Sequence, residues 1–264
     1  MLVHIVADYG AGDLAFAEVV QALRLHLPAA EVVLTPVPPF ATLAAGFCIG
    51  QLGRNEAPAG TLIFHNVAPR EDDPAVREGN AGERLAYARL PTGVRVVGVA
   101  AGFTYSYIKD IAEEMRWVNC PAEGSQFRSR DFFPAAAAAI LRGDAEILDE
   151  GIHAADFPEI PDALVAYVDG YGNIKTTIPG AEAEAMQGRT CRIRIGAVER
   201  EVVAGSGTFG VQLGQIAFAP GSSGYPLPDG GDLRFVEIFA RGGNAFEEFG
   251  RPRSGTPIEV IGPR

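Results

Sequence analysis

The periodicity of the chain changes once, and that change limits the folds available to it. From Leu2 to about Leu141, apolar strand-like runs alternate with helical patterns, whereas after Pro161 only short strand-like runs recur. Alternation of this kind is typical of a parallel or mostly parallel α/β sheet. Between the halves, the segment DEGIHAADFPEIP (149–161) has two prolines and no sustained apolar period, as linkers do. The sequence therefore predicts two domains, residues 1–155 and 162–264.

The two halves differ in the helices and strands that the sequence predicts for them. In the first half we predict helices at about 13–27, 40–52, 104–115 and 132–141, and the strands LVHIVA, EVVLTPV, TLIFHNVA, RLAYARL and VRVVGVA. In the second half turn residues separate the runs ALVAYVD, NIKTTI, TCRIRI, EREVVA, GQIAFA and LRFVEIF. Short strands at this spacing indicate a small antiparallel β-barrel.

Composition excludes several classes of function. The net charge of −11 offers no basic face for phosphates, so we expect no nucleic-acid partner. The three cysteines are widely separated and fit no CxxC metal or redox spacing, which favours a reduced cytoplasmic setting and no bound metal. The N-terminus lacks the pattern of a signal peptide, and no run approaches the roughly 20 apolar residues of a membrane helix. We therefore expect a cytoplasmic protein without membrane contact.

The segment VAYVDGYGNIKTTI (165–178) runs from an apolar strand into an acid, an aromatic and an amide. Asp169 offers a negative charge, Tyr171 a flat face, and Asn173 both a donor and an acceptor. Such a group is suited to holding a small ligand. The same residues also suit a plain turn between two antiparallel strands, and both interpretations stay open here.

A second candidate follows the first strand, in the segment DYGAGD. Asp8 stands at the strand's carboxyl end, where open α/β sheets place their ligands, and a carboxylate there can accept both hydroxyls of a ribose. Capping of the next helix is the alternative role. The loose GxGxxA pattern in the same segment also permits a dinucleotide site, but the second strand lacks the acid expected at its end.

Five segments in order carry a resemblance that spans nearly the whole chain: DYGAGD, SQFRSRDFFP, VDGYGN, GSSGY and VEIFARGGNAF. Their order and spacing resemble the S-adenosylmethionine hydrolase (adenosine-forming) family, which is related to the fluorinases and chlorinases. The resemblance implies an N-terminal α/β domain, a C-terminal β-barrel domain, and a homotrimer whose site combines the N-terminal domain of one subunit with the C-terminal domain of the next. It implies S-adenosyl-L-methionine as substrate or ligand, and no other cofactor.

The resemblance also assigns roles to single residues. Asp8 would bind the ribose diol, and Ser223 would hold the methionine carboxylate. The remaining substrate-binding candidates, which match the family's segments, are Phe127, Ser129, Asp169, Tyr171, Asn173, Asn244 and Ala245.

Departures from the family pattern cluster where water would be activated. Ala68 stands where the family has an acid, and Arg128 where it has a histidine. Asp72 or Asp73 is a substitute for that acid. We take Arg84, Arg128 and Asp73 as the catalytic candidates, with His65 as a relocated base in the alternative.

The predicted function is hydrolysis of S-adenosylmethionine to adenosine and methionine, by attack of water at the ribose 5′ carbon. Because the ligand-holding residues persist while the water-activating ones differ, a non-catalytic adenosyl-ligand binding or sensing protein is the alternative. Catalysis with another nucleophile or nucleoside at the same pocket is a third hypothesis.

Overall fold

The computed structural model describes residues 1–67, 75–77 and 81–263. The chain divides into two compact units, Met1–Glu159 and Ile160–Arg264. Each unit is built on a seven-stranded mixed sheet. The predicted α/β class is confirmed at this level.

The sheet of the N-terminal unit has the strand order β2-β1-β3-β5-β4-β6-β7. Its strands are β1 (Leu2–Ala7), β2 (Glu31–Pro36), β3 (Leu62–Asn66), β4 (Leu85–Arg89), β5 (Arg95–Val99), β6 (Glu114–Val118) and β7 (Leu148–Gly151). Strands β2, β1, β3 and β5 pair in parallel, while β4 is antiparallel to β5 and β6, and β7 is antiparallel to β6. The near-continuous apolar runs of β1 and β3 follow from burial on both faces of the sheet.

The helices of this unit are α1 (Leu14–His26), α2 (Thr42–Arg54), α3 (Arg128–Asp131) and α4 (Phe133–Arg142). Asp13 caps α1, its side chain accepting the N–H of Ala15 at 2.8 Å. In α4 the alanines from Ala136 to Ala139 are buried, and the helix packs on α1. Gly143 ends α4 in the left-handed conformation, as a glycine C-cap does.

The helix predicted at 104–115 does not form. Residues 102–111 are consecutive turns, and Glu114–Val118 is strand β6. The Thr104 hydroxyl donates to the carbonyls of Val99 and Ala101, so a side chain satisfies backbone groups that a helix would otherwise need to pair. Pairing of β6 with β4 then overrides the local helical preference.

The C-terminal unit has the strand order β14-β10-β11-β12-β13-β9-β8. Its strands are β8 (Val165–Val168), β9 (Ile174–Pro179), β10 (Thr190–Ile195), β11 (Val198–Ala204), β12 (Ile216–Pro226), β13 (Asp232–Ala240) and β14 (Ile258–Pro263). Two short helices, α5 (Gly180–Ala185) and α6 (Ala245–Glu248), also occur in this half, where none was predicted. The core contains apolar side chains from β8 to β14 and both helices.

The prediction of a purely antiparallel second sheet is wrong at one pair of strands. β11 and β12 run parallel, with Val203 opposite Ala217 and Ala204 opposite Phe218. The physical reason is the long connection between them, which contains a 3-10 turn at Thr208–Gly210 and lets the chain cross over where a tight hairpin would reverse it. At the sheet's ends, an antiparallel bridge joins Leu164, just before β8, to Pro257, just before β14.

Candidate functional site

A cleft of about 830 Å³ opens at the carboxyl ends of β1, β3 and β5 in the N-terminal unit. Open α/β sheets bind ligands at this edge. The described residues that line it are Asp8, Tyr9, Gly10, Asp13, Pro39, Phe40, Asn66, Ala75, Val76, Arg77, Ala81, Gly82, Glu83, Val99, Ser125, Gln126, Phe127, Arg128, Ser129 and Phe133. Four of the predicted site residues, Asp8, Phe127, Arg128 and Ser129, are therefore brought together here.

Asp8 is held at the end of β1 by the backbone. Its Oδ2 accepts the N–H of Phe40 at 3.0 Å, and its own N–H donates to the carbonyl of Asn66 at 3.3 Å. Asp13 caps α1, so the cap does not depend on Asp8. The carboxylate is thus oriented in the cleft wall by the chain around it.

Phe40 is a cleft residue that sequence analysis missed. Its φ is 63°, uncommon for a side chain larger than glycine, and its side chain is 42% exposed. Strained, exposed aromatic residues tend to occur at binding sites. Its place just after β2, behind two prolines, was a signal that the sequence did offer.

An aromatic group forms one wall of the cleft. The ring of Tyr9 packs edge-on against Phe16 and Phe127, with centroids 5.1 and 5.8 Å apart. Its hydroxyl shares a 2.6 Å hydrogen bond with the hydroxyl of the buried Ser129. Burial raises the pKa of the Tyr9 phenol, so the group stays neutral. Ser129, proposed from the sequence as a ligand contact, thus also fixes Tyr9.

Arg128 lies in the cleft wall with its guanidinium bonded to backbone. Nη2 donates to the carbonyl of Glu83 at 2.7 Å and Nε to that of Pro121 at 3.1 Å. The group lies against Gly82, where a Cβ atom would come within 2.0 Å of Nη1. Burial lowers the pKa of this guanidinium. A second cleft cation, Arg77, pairs with Glu83 at 2.7 Å and was not identified from the sequence.

The structure does not place the other two catalytic candidates, Arg84 and Asp73, in the cleft. Arg84 pairs with Asp149 and Glu150 at 3.4 and 3.3 Å and lies over the ring of Trp117. It is not among the described residues that line the cleft. Asp73, together with Ala68 and Asp72, lies outside the described residues.

His65, the alternative base, lies in β3 and is fully buried. Its ring contacts Tyr105 and lies over Gly98, where a Cβ would come within 2.2 Å of it. Burial lowers its pKa to about 3. A buried, neutral imidazole outside the cleft lining is unsuited to activating water there.

The predicted residues of the C-terminal unit and two further residues that contact them, Lys175 and Glu237, form a second group. We call this group the loop patch: Asp169, Tyr171, Asn173, Lys175, Ser223, Glu237, Asn244 and Ala245. Asp169 organises its loop, because Oδ1 accepts the N–H groups of Tyr171 and Asn173 at 2.9 and 3.1 Å and Oδ2 accepts the Asn173 amide at 3.0 Å. The turn and the binding interpretations are therefore compatible. The Tyr171 side chain is 83% exposed.

The glycine-rich segment at 242–245 packs onto this loop. A Cβ on Gly172 would lie 2.0 Å from Oδ1 of Asn244, so only glycine permits the contact. Asn244 caps α6 by accepting the N–H of Glu247 at 3.0 Å. Ala245 is fully buried in the core of the unit.

A chain of polar contacts links Ser223 to Asp169. Oε1 of the buried Glu237 accepts both the N–H and the hydroxyl of Ser223, at 2.9 and 2.6 Å. Its Oε2 lies 2.9 Å from Nζ of Lys175, which lies 3.6 Å from Oδ2 of Asp169. Glu237 and Lys175 were not identified from the sequence. Both lie inside strand-like runs, so no local signal distinguished them.

Two solved structures that match this chain have descriptions that state no function. A conserved protein of Thermotoga maritima, described as uncharacterized, matches with a TM-score of 0.75 at 18% identity, over 98% of this chain and 100% of that one. A conserved hypothetical protein of Thermus thermophilus matches with a TM-score of 0.66 at 22% identity, over 98% of this chain and 99% of that one. No protein-family model and no curated protein matches the sequence. At these identities the likeness establishes a shared fold.

Within residues 1–67, 75–77 and 81–263, no group of three His, Cys, Asp or Glu side chains has the arrangement of a metal site. No helix in the same ranges is long and apolar enough to cross a membrane.

Proposed function

We propose that this protein binds S-adenosyl-L-methionine and hydrolyses it to adenosine and L-methionine. The observation that carries the proposal is the placement of Asp8, held by the Phe40 N–H at the strand-end edge of the cleft. A carboxylate fixed in this way accepts two vicinal hydroxyls of a ribose. The neighbouring aromatic rings of Tyr9, Phe40 and Phe127 offer apolar surface to the rest of a nucleoside.

The loop patch supports the part of the proposal that concerns the methionine moiety of the ligand. Asp169 offers a carboxylate whose side chain is 22% exposed, and Tyr171 offers an exposed ring. A carboxylate of this kind binds the ammonium of the methionine moiety. Asn173, Asn244 and Ala245 then act by keeping the loop in shape and offering backbone groups.

The reaction needs little covalent chemistry from the protein. A bond forms between the water oxygen and C5′ of the ribose while the C5′–S bond breaks, and sulfur keeps the electron pair as the thioether of methionine. The water loses one proton to solvent or to a base. Since a sulfonium is already a good leaving group, the protein contributes chiefly by orienting the water in line with the C–S bond. Of the three catalytic candidates, Arg128 lies among the described residues of the cleft. Arg84 is not among those residues, and Asp73, a substitute for the family's acid, lies outside the described ranges.

A non-catalytic adenosyl-ligand binding protein is the second candidate. The observation in its favour is the state of Arg128, whose Nε and Nη2 already bond backbone carbonyls. In addition, no histidine is among the described residues that line the cleft. This candidate predicts the same ligand without turnover.

Incubation with S-adenosylmethionine, followed by chromatography of the products, separates the two candidates. We expect adenosine and methionine in equal amounts and at a low rate, because general acid–base groups contribute about 10²–10⁴-fold and the family's histidine is Arg128 here. Tight binding without adenosine would favour the binding protein. Absence of binding would overturn both.

Asp8→Ala provides the site-specific arm of this test. In the unaltered protein adenosine should bind better than 2′-deoxyadenosine, because the deoxy analogue lacks one hydroxyl that donates to the carboxylate, and Asp8→Ala should remove that preference. Asp13→Asn is the matched control, since Asp13 also lines the cleft but caps α1. Equal binding of the two nucleosides to the unaltered protein would exclude Asp8 as the ribose contact.

The proposal also includes a barrel-shaped C-terminal sheet and a cytoplasmic location. We propose that the C-terminal sheet is a small barrel, which the bridge between Leu164 and Pro257 supports by joining its edge strands. A cytoplasmic location accords with the three free cysteines Cys48, Cys120 and Cys191.

A further inference from the structure

Ser223 is poorly placed to hold a carboxylate, although its sequence position suggests that role. Its N–H and its hydroxyl both donate to the same oxygen of Glu237. A serine hydroxyl has one hydrogen, so none remains for a ligand anion. Glu237 is 1% exposed and adds a negative charge directly behind the serine. A ligand carboxylate would therefore need another donor in the loop patch.

Lys175 has the donors that Ser223 lacks. Among the described residues, its Nζ makes one contact of hydrogen-bond length, the 2.9 Å contact with Oε2 of Glu237. The 3.6 Å distance to Oδ2 of Asp169 is too long for a hydrogen bond. An ammonium has three hydrogens, and the Lys175 side chain keeps 12% of its surface exposed. Glu237 thus fixes the lysine while donors remain available.

Asp169 and Lys175 together present a pair of opposite charges 3.6 Å apart. The ammonium and carboxylate of an α-amino acid are separated by roughly 3 Å, because both groups are attached to one carbon atom. A zwitterion can therefore lie alongside this pair in the opposite sense, with its ammonium on Asp169 and its carboxylate on Lys175. The charge of Glu237 is balanced by Lys175 in the same arrangement.

We propose that Lys175 is a specificity-determining residue that binds the carboxylate of the ligand's amino-acid moiety, next to the ammonium held by Asp169. The inference rests on the proposed function, since it takes the methionine end of an adenosyl ligand as the occupant of the loop patch. Ser223 and Glu237 act through Lys175 and are positioning residues. The pair selects a zwitterionic amino acid over an amine that lacks the carboxylate.

The test compares two ligands that differ in that carboxylate alone: S-adenosyl-L-homocysteine and its decarboxylated counterpart. Both are thioethers, so neither carries the sulfonium leaving group during a calorimetric titration. We expect the unaltered protein to favour the carboxylate-bearing ligand by about tenfold or more, as for one hydrogen bond between charged groups. Adenosine is titrated in parallel to report on the cleft alone.

Removing Lys175 alone would leave Glu237 buried without its cation, so the main variant is Lys175→Met combined with Glu237→Gln. It should bind the two thioethers equally and adenosine as before. Lys175→Gln, which keeps a donor toward Glu237 without the charge, should also lose the preference. Lys175→Arg should retain it. Arg234→Met is the control variant, because it removes a different, exposed cation, which donates to the carbonyl of Ser222. This variant should also retain the preference.

Each result supports or overturns the assignment. A preference for the carboxylate-bearing ligand that persists without Lys175, or that disappears in Arg234→Met, overturns the role of Lys175 while leaving the proposed function in place. If the unaltered protein binds neither thioether nor adenosine, the proposed function fails and this inference fails with it.

Discussion

At the scale of single residues, His65 shows how a polar group is kept in the sheet of the N-terminal unit. It occupies a buried position in β3, and Gly98 on the neighbouring strand β5 leaves room for its ring. Neither ring nitrogen has a hydrogen-bond partner among the described residues. Such a group is tolerated as the neutral form and is costly to protonate.

His65 should therefore make folding stability depend on pH. Burial lowers its pKa in the folded protein to about 3, from an ordinary value of 6.5. Because the folded state binds fewer protons, this stability is complete above pH 6.5 and is lost as the pH falls toward 3. We expect the free energy of unfolding in urea to fall by about 2 kcal/mol between pH 7.5 and pH 5.

Two variants test whether His65 is responsible. His65→Leu should reduce the pH dependence in this window, because a buried leucine cannot be protonated. His26→Gln, at an exposed position, should leave it unchanged. An identical fall in His65→Leu and in the unaltered protein would show that other groups cause it.

At the scale of elements, two of three glycines on α2, Gly46 and Gly50, bring the helix close to the turns at 102–111. Gly46, Gly50 and Gly53 recur at helical spacing. A Cβ on Gly46 would lie 2.2 Å from the carbonyl oxygen of Phe103, and one on Gly50 would lie 2.6 Å from Cβ of Tyr107. The glycines thus allow the helix to pack against backbone, at a cost in helix propensity.

Gly46→Ala should destabilise the protein even though alanine favours helices. The propensity gain is about 1 kcal/mol, whereas displacing the Phe103 backbone costs about 1–3 kcal/mol. Denaturant unfolding should therefore show no gain or a net loss of up to about 2 kcal/mol, by these two terms. Gly53→Ala is the control, since its Cβ would meet only side-chain tips, Cδ1 of Leu90 at 2.6 Å and Cδ1 of Ile63 at 3.5 Å. If Gly46→Ala were the more stable of the two, the close-packing argument would be wrong.

At the scale of the whole molecule, we propose that this chain forms a homotrimer, on the strength of its sequence resemblance. The edge strand β2 carries Val33 and Leu34, which are 45% and 44% exposed in the single chain. Edge strands with exposed apolar side chains favour association. Light scattering coupled to size-exclusion chromatography should give three times the mass of one chain. A single-chain mass across the concentration range would count against the trimer.

The sequence by itself determined the type of most elements and pointed to two groups of candidate site residues. Strands β1 to β5 and helices α1, α2 and α4 follow from apolar periodicity and end signals, which act within a few residues. Asp8 was identifiable because the carboxyl end of a parallel strand is a fixed place in an α/β sheet. The loop at 169–173 was identifiable because an acid, an aromatic and an amide stand together in the sequence.

Tertiary structure decided those features that depend on contacts between residues distant in sequence. The turns at 102–111 replace a predicted helix because Thr104 bonds nearby carbonyls and β6 pairs with β4. Phe40 meets Asp8 across 32 residues, and Lys175 meets Glu237 across strands β9 and β13. Local sequence patterns do not identify such partners, because hydrogen bonds and ion pairs depend on distance in space. Strand pairing brings these groups within that distance.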